Sequence, residues 1–180
     1  MNTLVKTLII STTLMLSVLW NNAAQATDLK VGDKAPDFKL QATDGHSYQL
    51  SDYLGKQTLV LAWYPMANTR GCTLECKSLV QKGSLIREYN AVYMMASVDD
   101  LEDNQKFAKE QKADFPMLSD PTKETAKAYD VLNLVRVASR VTFYIGKDGT
   151  ILKIDDDINP ETAAEDIAAT LAELGIEKQS

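Results

Sequence analysis

The run Thr58-Leu59-Val60-Leu61-Ala62-Trp63 is apolar after its first residue and is too short for a helix of ordinary length. A strand with no polar alternation must be covered on both faces, which is the situation of a central strand in a sheet sandwiched between helices. Two further runs fit the same sheet: residues 91–98, reading Ala-Val-Tyr-Met-Met-Ala-Ser-Val, and Val141-Thr142-Phe143-Tyr144-Ile145, rich in β-branched and aromatic residues. Met94 and Met95 are expected in the core.

Helical patterns lie between these runs. Residues 73–89 carry Leu74, Leu79, Leu85, Ile86 and Tyr89 at roughly helical spacing, with Gly83 as a weak point in the middle. Residues 101–112 form a second helix, with Asp99 and Asp100 placed to cap it. A third starts at Asp120-Pro121 and carries Ala126 and Tyr129. Before the central strand, residues 38–41 and 47–50 flank Thr43-Asp44-Gly45-His46, where Asp-Gly marks a hairpin turn. A short helical turn over residues 51–55 ends at Gly55. After the last apolar strand, Gly146-Lys147-Asp148-Gly149 turns the chain into a hairpin partner over 150–154. A final helix over 160–174 is stopped by Gly175. The order predicts an α/β sandwich: a central mixed sheet flanked by helices, with an N-terminal β-hairpin, parallel crossovers and a closing antiparallel hairpin.

The 180 residues favour one domain. Residues 1–26 stand apart from it. A short start with Lys6 leads into a mostly apolar run, and Ala24-Gln25-Ala26 has the small-x-small form of a cleavage site, which is the layout of a secretory signal peptide. The apolar run falls short of the about 20 residues a membrane span needs. The expected organisation is a leader over 1–26 and a domain over 27–180, exported and periplasmic, with no membrane segment once the leader is removed. The formal net charge of −6 argues against nucleic acid and anionic membranes as partners.

Both cysteines, Cys72 and Cys76, lie four apart where the central strand gives way to a helix. A bridge closing so small a loop constrains little of the unfolded chain, so structural stapling is a poor explanation and chemistry a better one. A thiol acts as a nucleophile only when ionised. Cys72 sits at the expected helix N-terminus, where the macrodipole favours an anion. Gly71 lets backbone groups come close, and Thr69 offers a hydroxyl three residues earlier.

Pro65-x-x-x-Thr69-x-x-Cys72 resembles the active-site motif of the peroxiredoxins, and the wider text Tyr-Pro-Met-Ala-Asn-Thr-Arg-Gly-Cys-Thr is similar to the peroxiredoxin Q (bacterioferritin comigratory protein) branch. The likeness extends along the chain. Val31-Gly-Asp-Lys-Ala-Pro-Asp-Phe38, Ser97-Val-Asp99, Phe115-Pro-Met-Leu-Ser-Asp120 and Ala128-Tyr-Asp-Val131 fall where the family has similar text. Arg140 matches its active-site arginine. The resemblance implies a thioredoxin-like three-layer sandwich and a thiol-dependent peroxidase without a bound cofactor or metal. Its substrates would be hydrogen peroxide and organic hydroperoxides, its reductant a thioredoxin-like protein, and its state a monomer or weak homodimer. Cys72 would attack a peroxide oxygen and become a sulfenic acid. Thr69 would hydrogen-bond the peroxide or the thiolate, Arg140 would hold the thiolate ionised, and Pro65 would shield the sulfur. Glu75 would orient an arginine or cap the helix. Cys76 would resolve the sulfenic acid through a Cys72–Cys76 disulfide.

Two departures from the family pattern stand out. Arg70 replaces a usual proline. Cys76 lies four residues after the reactive cysteine, where many relatives place the resolving cysteine five after. Residues i and i+4 of an intact helix hold their Cβ atoms about 5–6 Å apart, while a disulfide brings them to about 3.8 Å, so the helix start is expected to open on oxidation. Two other functions compete. An exported copper-binding assembly protein would use Cys-x-x-x-Cys with a distant histidine near Ala138, but the single histidine, His46, lies in a hairpin turn. A thiol–disulfide oxidoreductase of thioredoxin type would use Cys-x-x-Cys and a proline before the later strand, where this chain has Arg140-Val141-Thr142. The acidic run 155–157 reads as a solvated loop, and Trp63 as core or as part of the pocket wall.

Overall fold

Strand β3 (Thr58–Trp63) is buried along its whole length and is an interior strand of a seven-stranded sheet in a computed structural model that describes residues 29–179. The expected leader over 1–26 lies outside the described residues. The other strands are β1 (Lys39–Ala42), β2 (Ser47–Gln49), β4 (Ala91–Ser97), β5 (Met117–Ser119), β6 (Val141–Ile145) and β7 (Ile151–Asp155), in the spatial order β2-β1-β5-β4-β3-β6-β7. β4 runs parallel to β3 and to β5, whereas β6 is antiparallel to β3 and β7 antiparallel to β6. The N-terminal hairpin β1–β2 joins the other side of the sheet through an antiparallel β1–β5 contact.

The helices are α1 (Arg70–Lys82), α2 (Ser84–Arg87), α3 (Leu101–Gln111), α4 (Glu124–Ala128) and α5 (Ala163–Glu173), with a 3₁₀ turn over Leu50–Asp52. Side chains alternate across the pleat. Val60, Ala62, Tyr93, Met95 and Tyr144 pack with Leu79, Ile86, Phe107, Ile167 and Leu171 from α1, α2, α3 and α5. Leu59, Leu61, Trp63, Met94 and Phe143 pack on the opposite side with Phe38, Leu50, Ala126 and Tyr129. The result is the three-layer sandwich, and two covered faces explain why the central strands read as unbroken apolar runs. Met94 and Met95 are buried on opposite faces.

Several local expectations shift. The single helix expected over 73–89 begins earlier, at Arg70, and breaks at Gly83 into α1 and α2. The helix expected from Asp120 begins only at Glu124, because Lys123 adopts the left-handed conformation at φ 66°. Asp120 turns its carboxylate to accept the Ala126 N–H at 2.8 Å. Asp100 holds the N-cap position of α3 without a side-chain capping bond. Trp63 belongs to the face away from the cysteines, its ring 6.1 Å from that of Tyr129, which makes it core and not pocket wall. Among the described residues, no helix is long and apolar enough to cross a membrane.

Candidate active site

The topology delivers the site to one end of β3. The chain leaves the sheet after Trp63, although Tyr64 still donates its N–H to the Ala96 carbonyl at 2.9 Å. Residues 65–69 form a loop and α1 starts at Arg70. Antiparallel pairing of β3 with β6 sets Trp63 opposite Val141. Arg140, one residue earlier on β6's approach, therefore arrives beside the start of the loop. A long separation in sequence, from 72 to 140, becomes a contact because two neighbouring strands end together.

Arg140 Nη2 stands 3.3 Å from Cys72 Sγ. The other terminal nitrogen, Nη1, forms an ion pair with Glu75 Oε2, one helical turn along α1 from Cys72. One guanidinium thus bridges the thiol and a fully buried carboxylate, a fork that lysine could not reproduce. Gly71 makes room for it, since a Cβ there would lie 3.1 Å from Arg140 Nη2. Cys72 therefore lies in the first turn of α1, at the positive end of the helix dipole, with the guanidinium beside its sulfur. Cys72 itself is buried.

Cys76 occupies the next turn of α1, also buried, and both thiols are free. Burial pushes the Cys76 thiol up to about 12, and the negative charges of Asp114 and of Cys72 when ionised push the same way. The two cysteines therefore differ in kind. One faces a cation at a helix start, and the other is a neutral thiol in an apolar layer.

Thr69 is the N-cap residue of α1, with extended φ −84° and ψ 156°, but its hydroxyl does not cap. It donates instead to the Met66 carbonyl at 3.0 Å. Pro65 is half-buried, and Met66, Asn68 and Arg70 are exposed. Asn68 takes φ 60°, a conformation that asparagine tolerates better than most residues, which lets the loop turn sharply into the helix. Arg70 opens α1 as an exposed charge. The site residues Pro65, Thr69, Cys72, Cys76 and Arg140 are gathered at one strand-to-helix junction, with Glu75 behind them.

Some of the supporting residues carried no sequence signal for the role they take. Asp99, expected as a helix cap, accepts the N–H of Ala67 with its Oδ2 at 2.8 Å. Asn104, a polar residue among polar neighbours on α3, is fully buried. Its Oδ1 accepts from the Tyr64 hydroxyl at 2.5 Å, and its Nδ2 donates to Ser119 Oγ at 2.8 Å and Ser97 Oγ at 3.0 Å. This buried network ties the end of β3 to α3, β4 and β5. Burial of Tyr64 raises its phenol well above the ordinary range, so the hydroxyl stays a donor.

His46, the histidine a copper site would need, lies in the β1–β2 turn, where its backbone N–H donates to Asp44 Oδ1 at 3.0 Å. Among the described residues no cluster of three His, Cys, Asp or Glu side chains forms a metal-binding group.

Comparison with known proteins agrees with this geometry. The model of the AhpC/TSA family matches residues 31–154. Peroxiredoxin Bcp of Bacillus subtilis is 34% identical over 132 residues, which cover 69% of this chain and 83% of that protein. Peroxiredoxin Bcp of Escherichia coli K12 is 30% identical over 136 residues, covering 72% and 86%. Among solved structures, peroxidoxin BcpB of Mycobacterium tuberculosis superposes with a TM-score of 0.73 at 30% identity, covering 81% of this chain and 97% of that one. A PrxQ mutant from Xylella fastidiosa gives a TM-score of 0.73 at 25% identity, covering 83% and 99%. With a family match that takes in the strand, the loop, the cysteines and Arg140 together, the chain belongs to the AhpC/TSA family and is a thiol-dependent peroxidase of the peroxiredoxin Q/Bcp branch.

Proposed function

We propose that Cys72 is the peroxidatic cysteine and Cys76 the resolving one, and that the protein reduces hydrogen peroxide and organic hydroperoxides at the expense of a thioredoxin-like protein. The observation that carries this reading is the Arg140 Nη2 to Cys72 Sγ contact at 3.3 Å. The Cys72 thiolate attacks one peroxide oxygen, and a sulfur–oxygen bond forms as the oxygen–oxygen bond breaks. The departing oxygen leaves as hydroxide or alkoxide, stabilised by the guanidinium, and takes a proton to become water or alcohol. Cys72 is left as a sulfenic acid. Thr69 holds the peroxide, and Pro65 walls the sulfur from water.

Resolution needs Cys76 to leave its buried site. While α1 stays wound, its thiol is neutral and poorly nucleophilic, because burial holds its proton on. Opening of the first turns exposes it, lowers its pKa toward the ordinary thiol range and lets it attack the Cys72 sulfur. A disulfide forms and water departs. A thioredoxin-like dithiol then reduces the disulfide, and α1 rewinds.

Copper transport is disfavoured by the same contact, since a guanidinium against Cys72 repels a metal cation. The apolar run and small-x-small site before Thr27 support action outside the cytoplasm, with the leader removed. Fractionation, together with the mass of the secreted chain, tests that part.

The enzymatic test is stopped-flow mixing of reduced protein with hydrogen peroxide, with C72S as the control. Oxidation far faster than that of a free thiol, lost in C72S, is the expected result. Oxidation at the rate of free cysteine would end the peroxidase reading. For Cys76, mass spectrometry should find a Cys72–Cys76 disulfide after one equivalent of peroxide, and C76S should accumulate sulfenic acid. Unchanged turnover of C76S with thioredoxin would remove its resolving role.

A further inference from the structure

The peptide unit joining Met66 to Ala67 is planar and trans, so its C=O and N–H are rigidly coupled and point in opposite directions. Both ends are occupied. The N–H donates to Asp99 Oδ2 at 2.8 Å, and the C=O accepts from the Thr69 hydroxyl at 3.0 Å. A carbonyl has no proton to give, so Thr69 must spend its single hydroxyl proton there. Its lone pairs are left free to accept. A threonine held this way can accept a hydrogen bond from the O–H of a peroxide but cannot donate one to it.

Asp99 is itself held in place. Its backbone N–H donates to Ser97 Oγ at 3.2 Å. Ser97 Oγ accepts from Asn104 Nδ2 at 3.0 Å, and Asn104 Oδ1 accepts from the Tyr64 hydroxyl at 2.5 Å. The chain of bonds leaves the catalytic loop at Tyr64 and returns to it at Ala67, so Pro65 and Met66 lie inside a closed polar circuit. The step from carboxylate to peptide N–H is the charge-assisted one, and it fixes the plane that orients Thr69.

We propose that Asp99 is a positioning residue for the peroxide step, acting through the Met66–Ala67 peptide to set the Thr69 hydroxyl as an acceptor for peroxide. The proposal rests on the peroxidase chemistry of Cys72 given above. Asp99 is not the charged group beside the Cys72 sulfur, which has Arg140 Nη2 at 3.3 Å. The two contributions can therefore be separated by reagent. Oxidation by peroxide requires a positioned acceptor, whereas alkylation by iodoacetamide requires the thiolate and access to it but no acceptor.

The test uses D99A, D99N, T69V and the double variant D99A/T69V, each compared with the unmodified chain by thermal melting. In D99A, hydrogen peroxide oxidation of Cys72 should slow by about tenfold or more, as loss of near-attack geometry does elsewhere, while the alkylation rate at the same pH stays within about twofold. D99N keeps an oxygen that can accept the Ala67 N–H and should recover to within about threefold of the unmodified rate. The double variant should be no slower than T69V alone, because the two residues act in series. D99A reacting with peroxide at the unmodified rate would overturn the proposal. So would equal slowing of oxidation and alkylation, a D99N as slow as D99A, or fully additive losses in the double variant. If the unmodified chain were itself slow with peroxide, the function and not the role of Asp99 would have failed.

Discussion

At the residue scale the site depends on a guanidinium shared between a thiol and a carboxylate. Glu75 is fully buried and its partner Arg140 is partly exposed, its side chain 19% accessible, and neither terminal oxygen of Glu75 has a hydrogen-bond partner outside that ion pair. Removing one member of a buried pair strands the other, which costs about 3–5 kcal/mol. E75Q should therefore lose about 3 kcal/mol or more in urea unfolding. It should also slow peroxide oxidation of Cys72, because Arg140 loses the anchor that aims Nη2 at the sulfur. A variant with unchanged urea midpoint and unchanged oxidation rate would show that Glu75 is a passenger. R140K should fare no better, since an ammonium offers one point charge where the fork serves two partners. Cys72 and Thr69 could be found in the sequence because their chemistry requires particular residue types at close spacing, and Arg140 through its match to the family's arginine. Asp99 and Asn104 could not. An aspartate at a strand end reads as a cap, and an asparagine between Asp103 and Gln105 reads as solvent-facing. Only the fold shows that one meets the loop and the other is sealed beneath it.

Helix α1 carries both cysteines at the element scale, and its two ends are held differently. The far end is pinned: Ser78 Oγ accepts the Ala164 N–H at 3.1 Å, the Leu79 carbonyl accepts the Gly83 N–H at 2.9 Å, and Lys82 pairs with Glu165. The near end, from Arg70 to Lys77, holds both cysteines and is anchored mainly by Arg140. On oxidation, hydrogen exchange should accelerate over residues 72–77 and stay slow over 79–87; loss of protection through the whole of α1 and α2 would mean that the pins do not hold. The break at Gly83 shows why the helix boundaries were only partly legible. A Cβ at position 83 would lie 2.2 Å from the Tyr93 hydroxyl and 2.4 Å from the Leu79 carbonyl. The glycine is required by a tyrosine from β4, a contact that no local pattern reveals. G83A should destabilise the protein by about 1–3 kcal/mol, the range for overpacking a filled site, and a urea midpoint equal to that of the unmodified chain would show that Tyr93 can move aside. Arg87 braces the same tyrosine, donating to its hydroxyl at 2.8 Å. The late start of α4 follows from left-handed Lys123, with Asp120 accepting the Ala126 N–H of the first turn from outside the helix.

For the whole molecule, the sandwich buries acidic protons on both sides of the sheet. The strands themselves were legible because two covered faces leave unbroken apolar runs; their spatial order was not, because pairing partners are chosen by tertiary packing. That packing has a consequence at high pH. Burial raises the Cys76 thiol from its ordinary 9.0 to about 12 and the Tyr93 phenol from 10.0 to about 12. Burial also raises Tyr64, Tyr129 and Tyr144. In each case the unfolded chain loses its proton at the ordinary value while the folded protein keeps it, so the unfolded state binds fewer protons and stability falls as pH rises. The contribution of Cys76 is intact below about pH 9 and is lost between 9 and 12; the phenols join from about pH 10. The urea midpoint of the reduced protein should thus fall from pH 9 upward. C76A, which removes the thiol, should delay the onset toward pH 10, although its cavity lowers the midpoint at every pH. A midpoint that stays level to pH 11, or a C76A profile parallel to that of the unmodified chain, would show that the thiol is not held neutral by burial. A thiol so held cannot resolve Cys72 from inside the folded layer, so the same titration measures how much of the proposed cycle depends on α1 opening.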